Sequence, residues 1–130
     1  MRRIVTCAAL AAFAAMTWAG SGLADNYGPL KTMKTSAGTV LTDENGMTLY
    51  TYDKDKKNKS TCTGSCATHW PPAMARADAK PVGDLTLVKR ADGKLQWADK
   101  GKPLYTYADD KKPGDVNGDG KAGLWHVVKE

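Results

Sequence analysis

The sequence contains one pattern twice, at a constant spacing equal to the separation of Tyr50 and Tyr105. The clearest shared run is Leu-Tyr-Thr-Tyr, which occupies residues 49–52 and again residues 104–107. A fixed period of this kind indicates one supersecondary unit used twice, and so short a unit must bury its apolar face mainly against its copy. The same shift also superimposes glycines, lysines and tryptophans, namely Gly28 and Gly83, Lys34 and Lys89, Gly38 and Gly93, Gly46 and Gly101, and Trp70 and Trp125.

Each copy has the local pattern of a β-meander. Alternating segments are separated by dipeptides such as Asn45-Gly46 and Asp92-Gly93, which are strong hairpin signals. The predicted strands cover residues 30–36, 39–43 and 47–53 in copy one, residues 85–90, 94–98 and 102–108 in copy two, and a closing strand at 124–128. We expect a helical turn only within residues 72–80.

The predicted fold class is therefore all-β, with two tandem β-meander repeats packed as one small domain. The repeats cover about residues 27–72 and 82–128. The domain itself spans residues 25–130, because residues 1–24 have a different character.

Residues 1–24 have the composition of a secretory signal peptide. Arg2 and Arg3 precede an apolar stretch at 4–18, and the small residues of 22–24 form a cleavage site, with cleavage after Ala19 as a second option. The apolar stretch is too short for a membrane anchor, and Cys7 lies too early to accept a lipid at the cleavage point. We expect a periplasmic or secreted protein with no membrane anchor after signal cleavage.

The charge pattern of the exported part argues against a nucleic-acid partner. Removing residues 1–24 lowers Lys plus Arg from 19 to 17 and leaves Asp plus Glu at 14, so the net charge falls from +5 to +3. Arg76 and Arg90 are then the only arginines, and most lysines stand beside acids, as in residues 53–57. A nucleic-acid-binding domain would instead carry a basic face of one sign.

Two cysteines, Cys62 and Cys66, remain in the exported part. In an oxidising compartment such a pair most simply forms a disulfide, which would fix the shape of one loop. The alternative is a metal site, because His69 completes a C-x3-C-x2-H spacing and Met74 offers a soft ligand for copper or zinc. His126, beside the second repeated tryptophan, would be the further ligand of a shared histidine-based metal or haem site.

The corresponding loop of copy two resembles the beginning of a calcium-binding loop. Asp115, Asn117, Asp119 and Gly120 fit the D-x-[DN]-x-[DN]-G pattern, but His126 stands at the twelfth position, where an EF-hand has glutamate. Asx-turn hydrogen bonds alone also explain such a string. We expect a chain without a cofactor. The alternatives are weak calcium binding at this loop and weak copper binding at the cysteine loop.

Both copies contain the motif Y-x-[FWY]-x-x-D, formed by Tyr50, Tyr52 and Asp55 and by Tyr105, Tyr107 and Asp110. With the Cys62–Cys66 loop, the His-Trp-Pro-Pro run at 69–72 and the Gly-Leu-Trp-His-Val ending at 123–127, the chain resembles the secreted repeat proteins of unknown function. These are described as predicted lipoproteins with a Yx(FWY)xxD motif. The resemblance implies no settled activity, and the missing lipid-accepting cysteine means that membrane anchoring is not carried over.

The motif residues favour a structural role. We expect the tyrosines to pack on the sheet face with their hydroxyls reaching polar partners, and Asp55 and Asp110 to accept backbone N–H bonds. Acid–base catalysis would need two groups of different pKa in one cleft, whereas the same residues recur at the same place in two copies. The sequence also offers neither a nucleophile–base pair nor a phosphate loop.

We therefore predict an exported protein that is not an enzyme and that binds an unknown ligand or an envelope protein. The alternative is a periplasmic redox or metal-handling protein associated with copper or haem electron transfer.

Overall fold

The computed structural model describes residues 27–130, so the predicted signal peptide lies outside the described residues. The regular elements of the described chain are mostly strands, and the prediction of an all-β fold built from two repeats is confirmed. None of its helices is long and apolar enough to span a bilayer. The elements are β1 (Lys31–Thr35), β2 (Gly38–Thr42), β3 (Tyr50–Tyr52), α1 (Ser65–His69), β4 (Met74–Ala75), β5 (Leu85–Lys89), β6 (Leu95–Asp99), β7 (Lys102–Pro103), a 3₁₀ turn (Lys121–Gly123) and β8 (Trp125–Val127).

Each copy begins with an antiparallel hairpin that continues into a third segment. Strand β1 pairs with β2, and β5 pairs with β6. The chain then turns back, and the N–H of Leu49 donates to the carbonyl of Leu41, as that of Leu104 does to the carbonyl of Trp97. Both copies are therefore β-meanders.

The helical turn expected within residues 72–80 is wrong. That segment contains β4 and a turn, and the helix forms earlier, at α1. Ala73 exchanges hydrogen bonds with Leu104 and Trp97, and β4 pairs with β6, so pairing with copy two holds the segment extended.

The constant spacing of the repeat does not hold in the second strand of the copies. Met33 pairs with Val40, and the sequence counterparts of these two residues are Val88 and Leu95. Val88 pairs instead with Gln96, the residue after Leu95. The first turn of copy two is thus one residue longer and its second turn one residue shorter. Because the two changes cancel, an ungapped comparison of the copies hides them.

The closing segment of each copy pairs with the other copy. Strand β8 of copy two pairs with β3 of copy one, with Val127 opposite Tyr50. Reciprocally, Pro72 of copy one forms a bridge with Tyr105 of copy two, and β4 continues along β6. The two copies therefore exchange their last strands within one chain.

A pseudo-two-fold axis passes between Tyr50 and Tyr105. The N–H of Tyr50 donates to the carbonyl of Tyr105 at 2.7 Å, and the N–H of Tyr105 donates to the carbonyl of Tyr50 at 3.0 Å. Tyr50 and Tyr105 occupy equivalent positions of the two copies, so interchanging the copies leaves this pair of hydrogen bonds unchanged. The motif tyrosines thus lie where the two repeats meet.

Two buried clusters form the core, and each takes residues from both copies. Because of the strand exchange, neither copy has a core of its own. One cluster is mostly aliphatic and contains Leu30, Leu41, Leu49, Ala73, Leu85, Trp97 and Leu104. The other is mostly aromatic and contains Val40, Tyr50, Cys62, Trp70, Tyr105, Tyr107, Trp125 and Val127.

A disulfide joins Cys62 and Cys66, with the Cα atoms 5.2 Å apart. Cys62 is fully buried in the aromatic cluster, while Cys66 is half-buried in α1. Because each sulfur is bonded to the other, neither is a thiolate ligand in this structure.

Replacing Cys66→Ser should lower stability without preventing folding. The bond closes a short loop, and in the chain-entropy account such a crosslink stabilises by about 2 kcal/mol. For a domain of this size that corresponds to a decrease in Tm of roughly 10 °C, measured by thermal denaturation. Ser65→Ala, at the neighbouring position, is the control. A fully unfolded variant would show that the loop is required for the fold.

Candidate functional site

Four aromatic rings, two from each copy, stack into a column. Trp70 and Trp125 lie face to face with ring centroids 3.8 Å apart and an interplanar angle of 1°. Tyr52 stacks on the outer face of Trp125 at 4.2 Å, and Tyr107 stacks on the outer face of Trp70 at the same distance. We call Tyr52, Trp125, Trp70 and Tyr107 the aromatic column.

The strand exchange places these rings together. In the pairing of β3 with β8, Tyr52 is opposite Trp125, and cross-strand neighbours on one face of a sheet are close enough to stack. The N–H of Ala108 donates to the carbonyl of His69, which sets Tyr107 beside Trp70 in the same way. The pseudo-two-fold axis then brings the two tryptophans into contact.

The first tyrosine of each motif forms a hydrogen bond with the aspartate of the other motif. The Tyr50 hydroxyl donates to Asp110 Oδ2 and the Tyr105 hydroxyl donates to Asp55 Oδ2, each at 2.6 Å. The other oxygen of Asp55 accepts the N–H of Thr61 at 2.7 Å. Each aspartate therefore joins a loop of its own copy to a tyrosine of the other.

Both of these phenols remain protonated donors. Burial raises the pKa of Tyr50 well above its usual range, and the hydrogen bond to the Asp110 carboxylate raises it further. Burial and the bond to Asp55 raise the pKa of Tyr105 in the same direction. The motif hydroxyls are therefore very weak acids that keep their protons at neutral pH, and their role in the structure is to join the copies.

Gly118 allows the second loop to approach the column. A Cβ atom at this position would lie 2.6 Å from Cη2 of Trp70 and 3.1 Å from a ring carbon of Tyr107. The N–H of Gly118 also donates to the Tyr50 hydroxyl at 3.2 Å. The sequence pattern marked this glycine only as part of a calcium-type string, and its contact with Trp70 has no local sequence signal.

The side chains of that string form turn and strand hydrogen bonds. Asp115 Oδ2 accepts the N–H of Lys111 at 2.8 Å, and Asp119 Oδ1 accepts the N–H of Val127 at 3.1 Å. Asn117 donates from its backbone to Asp110 at 2.9 Å. Across residues 27–130, no three His, Cys, Asp or Glu side chains are grouped so that they could hold a metal ion.

The structure separates the remaining candidate ligands. His69 is exposed at the end of α1 and lines the same cavity as Cys66, whereas His126 Nε2 lies 2.8 Å from Asp53 Oδ2. Met74, on β4, is exposed and lines a different cavity. The structure thus brings Cys66 and His69 together and leaves His126 and Met74 apart from them.

A cleft of about 490 Å³ runs along the edge of the aromatic column. We call it the aromatic cleft. Its only acid or base besides His69 and the two tyrosines is Lys121, whose Nζ lies 5.9 Å from the ring centroid of Tyr107, and its lining contains no carboxylate. Sequence reasoning did not identify Lys121. The lining consists of the four column residues with Ser65, Cys66, His69, Lys121 and Ala122.

Comparison with known families shows a match over both copies of the repeat. The model of a family described as "Secreted repeat of unknown function" matches the chain twice, at residues 31–74 and 86–129. These two segments have the same offset as Tyr50 and Tyr105, and together they cover more than half of the chain. No curated protein and no solved structure matches it.

Replacing Tyr50→Phe should destabilise the fold more than Tyr105→Phe. The first change leaves the Asp110 carboxylate, which is only 6% exposed, with the N–H of Asn117 but without its phenol donor, at a cost of about 1–3 kcal/mol. Asp55 is less buried and keeps its bonds to Thr61, so the second change should cost less. Urea denaturation measures both free energies of unfolding, with Tyr52→Phe as a control that keeps the stacked ring. Equal losses in all three variants would contradict this role of the carboxylates.

Alkaline titration should show two tyrosines that do not ionise while the protein is folded. The chain contains 5 tyrosines, and an unfolded tyrosine ionises near pH 10. Because Tyr50 and Tyr105 have raised pKa values when folded, only the unfolded chain loses these protons just above that pH, so the free energy of unfolding falls as pH rises. We expect the last two equivalents of tyrosinate absorbance to appear together with the loss of circular dichroism. Smooth ionisation of every tyrosine with the fold intact would contradict this prediction.

Proposed function

We propose that this chain, which belongs to the family of secreted repeats of unknown function, is a non-enzymatic binding protein whose ligand occupies the aromatic cleft. The family is described as secreted, and with the predicted signal peptide we assign the activity to the periplasm or the cell exterior. The observation that carries the proposal is that all four rings of the column line one cleft. A concave, largely aromatic site with a few polar groups is the usual form of a small-molecule site.

The lining of the cleft favours a small planar ligand with an acidic group. The tryptophan faces are covered within the column, so the edges of these rings line the cleft, and a flat aromatic ligand can present its face to them. Lys121 supplies a positive charge, and because no carboxylate lines the cleft, that charge is available to an anion. His69 and Ser65 add polar groups that can orient the ligand.

Binding without catalysis agrees with the polar groups in the cleft. A catalytic serine would share a hydrogen bond with its base. Ser65 and His69 both line the cleft, yet among the hydrogen bonds of residues 27–130 none joins the two side chains. The Cys66 sulfur is held in the disulfide, so it is not a free nucleophile.

Fluorescence titration with anilinonaphthalene sulfonate, a planar aromatic anion, tests the proposal. The probe should bind in a saturable way and quench tryptophan emission, because Trp70 and Trp125 line the cleft. Lys121→Ala should weaken binding of the sulfonate by roughly fivefold, the upper range for one exposed ion pair. Binding of phenylnaphthylamine, which has the same rings without the sulfonate, should not change in this variant.

Lys57→Ala is the matched control, because Lys57 is also an exposed lysine but lines a separate cavity. It should leave both affinities unchanged. Equal effects of the two lysine substitutions, or an absence of saturable binding, would overturn the proposal.

A further inference from the structure

We propose that the chain has a second binding site, which takes a small oxyanion such as inorganic phosphate, in a cavity beside Arg90. The cavity has a volume of about 370 Å³ and lies apart from the aromatic cleft, with which it shares no lining residue. Its polar lining includes Lys59, Ser60, Thr63, Lys89, Arg90 and Asp92. The proposal therefore stands independently of the function assigned to the aromatic cleft.

The guanidinium of Arg90 is held in place by neutral groups. Its Nη1 donates to Gln96 Oε1 at 2.7 Å and to Ser60 Oγ at 3.1 Å, and its Nη2 donates to the carbonyl of Cys62 at 3.2 Å. Gln96 is fully buried and also donates to the carbonyl of Leu104, so it is fixed. The half-buried cation is thus positioned rigidly by partners that do not neutralise it.

Arg90 retains donors and charge for a ligand. A guanidinium has five N–H donors, and the three bonds above leave about two of them available. Within residues 27–130 the ion pairs are Arg76 with Asp78 and His126 with Asp53, so no carboxylate pairs with Arg90. A planar fork of charged donors is the group that best matches an oxyanion.

The rest of the cavity adds positive charge and a hydroxyl donor. Lys59, Lys89 and Arg90 contribute three positive charges and Asp92 one negative charge, so the lining carries a net charge of +2. The Asp92 carboxylate accepts the N–H of Lys94 at 2.9 Å, which engages one of its oxygens. The hydroxyl of Thr63 can donate to a remaining oxygen of an anion, whereas the hydroxyl of Ser60 already donates to the Tyr105 oxygen at 2.6 Å.

The first copy shows that the fold does not need this arrangement. The position of copy one that is equivalent to Arg90 is Thr35, and the structural counterpart of Gln96 is Val40. Val40 is fully buried in the aromatic cluster, so the repeated fold forms with an apolar residue at this position. The polar network of copy two is therefore an addition to the repeated scaffold, and anion binding accounts for its presence.

Titration calorimetry with inorganic phosphate at constant ionic strength tests the site. The unmodified protein should bind one phosphate in a saturable way. Lys89→Ala should weaken this binding by roughly fivefold, because it removes one exposed charge at the cavity. Lys34→Ala is the matched control, since Lys34 occupies the same strand position in copy one, is also exposed and does not line the cavity.

Arg90→Met should abolish phosphate binding, and the Lys89 variant keeps the test decisive if this substitution impairs folding. Binding of anilinonaphthalene sulfonate should not change in the Lys89→Ala protein, which separates this site from the aromatic cleft. Competition by sulfate but not by acetate would assign the site to tetrahedral oxyanions, and competition by both would assign it to oxyanions in general. The absence of saturable phosphate binding, or equal losses in the Lys34 and Lys89 variants, would overturn the proposal.

Discussion

The exchange of closing strands between the two repeats is the constraint on which the rest of the structure depends. Because β8 lies against β3, and residues 72–75 lie against copy two, both buried clusters contain side chains from both copies. The same exchange stacks the aromatic column and brings each motif tyrosine to the aspartate of the other motif. The Yx(FWY)xxD motif therefore joins the two copies, because the tyrosine of each motif has its partner aspartate in the other.

Much of the fold could be predicted from the sequence, because its signals are local. Asn45-Gly46 and Asp92-Gly93 mark real turns, and the alternation of apolar residues marks real strands. The partner of each closing segment could not be predicted, since periodicity shows that Trp125 lies on a strand but not which copy receives it. The contacts of Tyr50 with Asp110 and of Gly118 with Trp70 depend on that choice, so they were also beyond local reasoning.

The repeated scaffold and the candidate sites follow different rules. Residues that obey the repeat, such as the paired tyrosines and tryptophans, are mostly buried and symmetric. One cation of each proposed site breaks it: Lys121 stands where copy one has Cys66, and Arg90 stands where copy one has Thr35. A duplicated scaffold permits such divergence, because the strand exchange and the paired motif residues are kept while single positions differ between the copies.

The pairing of β3 with β8 also has a consequence for biogenesis. Tyr50 and Val127 are far apart in the sequence, and contacts between distant residues form late, after the entropy of closing a long loop has been overcome. A chain synthesised from its N-terminus cannot complete its first repeat until its last residues have also been made. The architecture thus ties the compaction of copy one to completion of the whole polypeptide.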